Sequence, residues 1–176
     1  MEARQVSSRI PLPYSPEVLK HFRNPKNVGP LENPTVQSVA GSPACGDVIK
    51  LYLRINDKEV VEKATFESYG CAANIAAASI LTDLIIGKTL REAWSIKWKD
   101  ISDRLGGLPP IKYHCSILAV GALKRAVRAY YTTVGNMPEW LPSDLTVEER
   151  QAVEEEELIK RIYGRQFKES IGKSDG

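Results

Sequence analysis

Strand-like alternation fills residues 35–69 of this chain, and helical periodicity takes over after Cys71 and does not give way again. That switch constrains the fold more than any other feature. Strands interleaved with helices build parallel sheets through crossovers. Strands followed by helices build an α+β domain with an antiparallel sheet. The strongest run is 47–55, DVIKLYLRI. Ile49, Leu51, Leu53 and Ile55 fall on one face, with Lys50, Tyr52 and Arg54 on the other. A sheet that is apolar on one side is covered on that side only. Runs at 35–40 and 60–69 complete three strands, and Asn56-Asp57-Lys58-Glu59 reads as a hairpin turn.

Residues 1–13 read as a tail. Ser15-Pro16 then opens a short helix, with Ser15 as cap, Val18, Leu19 and Phe22 as its apolar stripe, and Asn24-Pro25 as its stop. His21, between Lys20 and Arg23, reads as a surface residue. Beyond Cys71, residues 72–86 form a helix rich in small side chains, which allow close packing; it stops at Gly87. Two short helices follow at 89–96, capped by Thr89, and at 98–105. The GGLPP segment breaks the pattern before a long amphipathic helix at 113–131. Trp94, Trp98, Trp140 and Tyr14 read as packing residues. A charged helix is expected over 146–163, with Thr146 as cap and Glu149 at the capping-box position. From Pro142 onward nine acids face six bases, whereas the whole chain nets +2. The expected division is therefore a tail at 1–13, a domain at 14–141 and a charged helical extension at 142–176.

Composition removes several function classes. At 176 residues, with 43% hydrophobic and 26% charged side chains, the chain can bury a core without staples. No apolar run approaches about 20 residues, and the N-terminus lacks an apolar leader core, so neither a membrane span nor secretion is expected. A net charge of +2 is too small to argue for nucleic acid. Three cysteines, an odd and sparse number, do not make a disulfide framework. They point to a reducing compartment, and the expectation is a cytoplasmic protein.

Each cysteine lies at a break in the pattern. Cys45 sits in the loop GSPACGD before the strongest strand, with Asp47 two residues on. Cys71 follows Gly70 where a strand ends and a helix begins. Cys115 opens the long helix, directly after His114. Helix starts carry partial positive charge, which favours thiolate, the form that binds metal and attacks sulfur. Lys112 would add to this beside Cys115. Adjacent residues in a regular helix point about 100° apart. His114 and Cys115 can therefore serve one metal only at the first turn, where Pro109-Pro110 places them. Three thiolates joined by Asp47 or His114 form a soft set with one harder member, suited to zinc or to an iron–sulfur cluster. A non-thiolate fourth ligand holds a cluster less firmly, which suits a cluster meant to leave.

The motifs Cys45-Gly-Asp47, Gly70-Cys71 and Leu108-Pro-Pro-Ile-Lys-Tyr-His-Cys115, with the opening Tyr14-Ser-Pro-Glu-Val-Leu-Lys-His-Phe-Arg-Asn-Pro-Lys-Asn-Val-Gly29, resemble the iron–sulfur cluster assembly scaffolds of the IscU and NifU N-terminal type. The resemblance runs from about Tyr14 to Tyr131. It implies a three-stranded antiparallel sheet with helices on one face, and assembly of a labile [2Fe–2S] cluster for transfer to acceptor apoproteins. It implies Cys45, Cys71 and Cys115 as cluster ligands, with Asp47 or His114 as the fourth and Asp47 favoured in the cluster-bound state. Zinc takes these positions in some members. Cys115 would accept persulfide sulfur from a cysteine desulfurase, a role open to Cys45 as well. Asp47 would tune cluster release. A DnaK-type chaperone would grip Leu108–Lys112, and the N-terminal helix would help dock the desulfurase. The related SufU type carries an insertion between its second and third cysteines and lacks the histidine. This chain keeps His114 and so sides with IscU. The extension beyond Leu141 lies outside the common core and would cover the site, dock a partner or form a homodimer.

Three other readings compete with a scaffold that has no turnover of its own. A zinc-dependent sulfurtransferase would use the same ligands. A cysteine hydrolase built on Cys115, His114 and Asp47 leaves two thiols unexplained, and neighbouring side chains at 114 and 115 are expected to diverge. A structural adaptor would bury all three thiols as small hydrophobes.

Overall fold

The computed structural model describes residues 13–42 and 46–163. Helix α1 (Pro16–Arg23) precedes strands β1 (Val36–Ser42), β2 (Asp47–Ile55) and β3 (Val61–Tyr69). Helices α2 (Ala72–Ile85), α3 (Leu90–Trp94), α4 (Trp98–Arg104), α5 (Tyr113–Val134) and α6 (Val147–Tyr163) follow, with one 3₁₀ turn, Pro110–Lys112, leading into α5. The expected tail falls almost wholly outside the described residues, and so does Cys45.

The sheet is antiparallel in the order β1-β2-β3. Its register places Ala40 beside Ile49, Ser38 beside Leu51, and Leu51 beside Phe66. These residues share one face, and α5 and α2 cover it. The α+β arrangement is thus the one the period switch predicts. Both sheet edges are protected, as exposed edges invite foreign strands. Val28 forms a parallel bridge to Phe66 along β3, and α6 packs beside β1.

Helix α2 is buried on nearly every side: Ala73, Ala76, Ala77, Ile80, Leu81 and Ile85 all join the core. Its small residues admit α1 on one side and α5 on another. A helix apolar all round has no solvent face to keep.

Three expectations about side chains need correction. His21 is not a surface residue: it is 5% exposed, and its Nδ1 lies 2.7 Å from the Ser79 hydroxyl on α2. Val18 and His21, one turn apart, form the face of α1 that meets α2. Phe22, placed in the apolar stripe, is instead exposed. The small Ser79 makes room for an imidazole there and offers it a polar partner. On the outer sheet face, Lys50 and Arg54 are partly exposed but Tyr52 is buried. Its hydroxyl donates to Glu67, and Lys50 lies over its ring.

The aromatic side chains pack as expected. Trp140 stacks edge-on with Tyr131 and lies near Trp94, and Trp98 packs on Tyr113. The capping box of α6 also forms: the Thr146 backbone N–H donates to Glu149 Oε2 at 2.7 Å. Glu149, at its capping-box position on this charged helix, is fully buried. Arg128 grips it through Nε at 2.5 Å from Oε1 and through its second amino group at 3.1 Å from Oε2. The same guanidinium donates to the carbonyls of Pro142 and Asp144.

Candidate metal centre

Asp47 stands at the centre of the site. It is the first residue of β2 and fully buried. Its Oδ1 accepts the Cys71 backbone N–H at 2.9 Å. Gly70 makes this possible. It has φ +151°, and a Cβ there would sit 2.1 Å from Asp47 Oδ1. The β3–α2 junction can pass over the carboxylate only with no side chain at position 70.

Cys71 is the N-cap of α2 and half-buried. Cys115 lies in the first turn of α5 and is fully buried. Both thiols are therefore at helix N-termini, as their sequence positions indicate. Asp47 Oδ2 is 3.6 Å from Cys71 Sγ and 3.6 Å from Cys115 Sγ, and the two sulfurs are 3.6 Å apart. His114 Nε2 is 3.5 Å from Asp47 Oδ2 and 3.5 Å from Cys115 Sγ. The first-turn placement thus lets the neighbours at 114 and 115 converge. The divergence expected against a nucleophile–base pair does not occur.

These separations test the fit of a metal. A tetrahedral ion with bonds of about 2.0–2.3 Å to N, O and S ligands has ligand–ligand edges of about 3.3–3.8 Å. Five edges among Asp47, Cys71, His114 and Cys115 fall in that range; the three donors whose atoms all lie within 4.8 Å of one another are Asp47, His114 and Cys115, with Cys71 beside Asp47 and Cys115. Two thiolates, one carboxylate and one imidazole also suit zinc or an iron–sulfur cluster by donor chemistry. The residues present fit either group.

The two thiols share one proton between them. Cys71 is lowered to about 6, first by the hydrogen bond from Cys115 and then by the Asn74 backbone N–H; burial and Asp47 oppose this. Cys115 is raised, by its hydrogen bond to Cys71, by burial and by the charges of Cys71 and Asp47. Lys112 is partly buried, and burial works against its charge. The negative charge of Cys71, Tyr14, Cys115 and Asp47 outweighs that and raises it.

A depressed acid titrates below its ordinary range, so Cys71 should be thiolate from about pH 6 upward. Alkylation of Cys71 in the metal-free protein is expected to rise through that pH. In Cys115→Ala the donor is gone, and the midpoint should move up toward the ordinary thiol value of about 8.5. Mass-resolved alkylation rates across pH check this; an unmoved midpoint would show that Cys115 is not the cause.

The rim of the site is uneven. Leu108 is buried, whereas Ile111 is 78% exposed and Tyr69, next to Gly70, is 67% exposed. Sequence reasoning missed Gly70 as a site residue, although its position directly before Cys71 at a strand–helix junction was the available signal.

Fold and site together define a small α+β domain that gathers soft and hard metal donors at one end of an antiparallel sheet. The NifU-like N terminal domain family matches residues 13–136. The chain is 46% identical over 120 residues to the iron–sulfur cluster assembly scaffold protein IscU of Escherichia coli strain K12, covering 66% of this chain and 93% of that protein. It is 43% identical over 123 residues to iron sulfur cluster assembly protein 2, mitochondrial, of Saccharomyces cerevisiae, covering 68% and 78%. Among solved structures, a putative iron–sulfur cluster assembly scaffold protein for the SUF system from Fervidobacterium islandicum AW-1 superposes with a TM-score of 0.56. It is 22% identical and covers 65% of this chain and 96% of that one, a likeness of fold alone. The N-terminal part of a nitrogen-fixing NifU-like protein from Brucella abortus gives a TM-score of 0.54 at 22% identity, over 67% and 94%. This chain belongs to the NifU-like N-terminal domain family. No helix among the described residues is long and apolar enough to cross a membrane.

Proposed function

We propose that this chain is a scaffold on which a labile [2Fe–2S] cluster is assembled from iron and desulfurase-derived sulfur, and from which the cluster passes to acceptor apoproteins. The convergence of Asp47, Cys71, His114 and Cys115 within 3.6 Å contacts carries this reading. The relatives named as iron–sulfur cluster assembly scaffolds support it. The cluster is cargo, so the protein acts as a carrier and not as a catalyst with turnover. Cys45 completes the thiolate set. Asp47 is the harder donor that makes the cluster displaceable, with His114 beside it as the exchange partner. Cys115 takes persulfide sulfur, and Lys112 keeps the set anionic. The exposed Ile111 within Leu108–Lys112 offers an apolar handle to a DnaK-type chaperone, and α1 helps to dock the desulfurase.

The clustered Asp47, His114 and Cys115 donors, with Cys71 beside them, suit zinc in the cluster-free form. They keep a zinc-dependent sulfurtransferase as the second reading. A hydrolase is disfavoured because it needs only one thiol, Cys115, and leaves Cys45 and Cys71 without a role.

The test is anaerobic reconstitution with iron, cysteine and a desulfurase, measuring iron, acid-labile sulfide and zinc per chain with the visible spectrum. Equal iron and sulfide are expected. Each of Cys45→Ser, Cys71→Ser and Cys115→Ser should impair assembly. Asp47→Ala should lengthen cluster lifetime, and Asp47→Asn should separate charge from the Cys71 N–H contact. Unimpaired assembly in all three serine variants would overturn the scaffold reading. Zinc retained without sulfide, with strong stimulation of the desulfurase, would favour the sulfurtransferase.

A further inference from the structure

Helix α6 lies beyond the segment that the family matches, yet it reaches the site. Close approach to α5 begins at Gly121. A Cβ there would stand 2.9 Å from the Glu148 carbonyl oxygen and 3.2 Å from the Ala152 Cβ. Two ion pairs hold this contact. One is the buried Arg128–Glu149 pair. The other joins Lys124 Nζ to Glu148 Oε2 at 3.2 Å, with both side chains less than a fifth exposed. Ala152 joins the hydrophobic core.

The consequence appears at the site. Glu148, Gln151 and Ala152 of α6 close a narrow space against Ser42, His114 and Leu118. His114 therefore has Asp47 and Cys115 on one side and α6 on the other. Ser42 is the last residue of β1. A helix whose inner face, Glu149 and Ala152, is buried and anchored by a glycine contact and two ion pairs forms a wall. Rigid second-layer contacts keep a ligating ring in one orientation.

We propose that α6 is a positioning element of the metal site. Gln151, carried on the anchored helix, keeps His114 turned toward Asp47 and Cys115. The helix also closes this flank to water and to incoming proteins. Cargo enters and leaves by the rim that carries Cys71, Tyr69 and Ile111. This rests on the reading of the site as metal-binding.

The experiment uses the full chain with Zn²⁺ as the probe. Zinc loss to excess chelator is followed by stopped flow for the wild type, Gln151→Ala and Gly121→Leu, each also in a His114→Ala background. Ring ¹H–¹⁵N spectra of His114 are recorded without metal. Zinc loss is expected to accelerate roughly tenfold in either α6 variant, the scale of second-layer effects on metal sites. The acceleration should vanish in the His114→Ala background, because the two changes act through one residue. The His114 ring signals of the metal-free protein should shift in Gln151→Ala. Unchanged rates, or the same acceleration without His114, would overturn the proposal, since α6 would then act on stability alone. Gln151→Ala keeps the test open if Gly121→Leu does not fold. If the wild type binds zinc without using Asp47, Cys71 and Cys115, the site reading itself falls, and the role of α6 with it.

Discussion

Gly70→Ala should cost the protein its metal binding. The added Cβ would stand 2.1 Å from Asp47 Oδ1 and 2.8 Å from its Cγ, with the Asp47 Cα at 3.1 Å. Neither group can yield cheaply. The carboxylate is fully buried and bonded to the Cys71 N–H, and the glycine is tied between β3 and α2. The strained φ adds about 1–3 kcal/mol for any residue with a side chain. The carboxylate must therefore rotate away, which takes one donor from the set and releases the backbone that places Cys71. Zinc affinity is expected to fall by at least about tenfold, the lower end for loss of a supporting contact. Anaerobic reconstitution should give little cluster. Isothermal titration with zinc and the sulfide content of reconstituted protein check this. Wild-type affinity in a folded Gly70→Ala protein would show that Asp47 does not need its present orientation.

Glu149→Ala should be among the most destabilising single changes in the chain. It leaves the Arg128 guanidinium without its buried carboxylate and removes the acceptor that caps α6 at Thr146. Breaking a buried ion pair from one side costs about 3–5 kcal/mol. For a chain of this size that corresponds to a Tm lower by about 10 °C. A double change to apolar residues, Arg128→Met with Glu149→Leu, should recover much of the loss, because neither charge is then stranded. Thermal unfolding of the three proteins decides the matter. A double variant no more stable than Glu149→Ala would mean that the carboxylate's capping bonds, not the ion pair, carry the stability.

Much of this protein is legible in its sequence because the signals are local. The alternation of Ile49, Leu51, Leu53 and Ile55 sets the face of β2 within nine residues. Ser15, Thr89 and Thr146 each cap a helix within three residues of themselves. Cys71 and Cys115 are at helix starts because a strand end and two prolines put them there. Residue type and spacing sufficed to mark four donors that the fold then gathers.

What the sequence could not decide depends on partners far along the chain. His21 and Glu149 have the composition of surface residues, and both are buried. Ser79 is 58 residues from His21, and Arg128 is 21 from Glu149. A polar side chain is buried only where a distant element brings a matching polar group, and no local pattern encodes that match. Gly70 and Gly121 follow the same rule. Each is glycine because of an atom from elsewhere, Asp47 Oδ1 in one case and the Glu148 carbonyl in the other. The candidate donors of the site were legible in the sequence itself. Their 3.5–3.6 Å spacing, the shared proton of Cys71 and Cys115, and the wall that α6 raises beside His114 were decided only by the tertiary structure, where close packing turns residue types into distances.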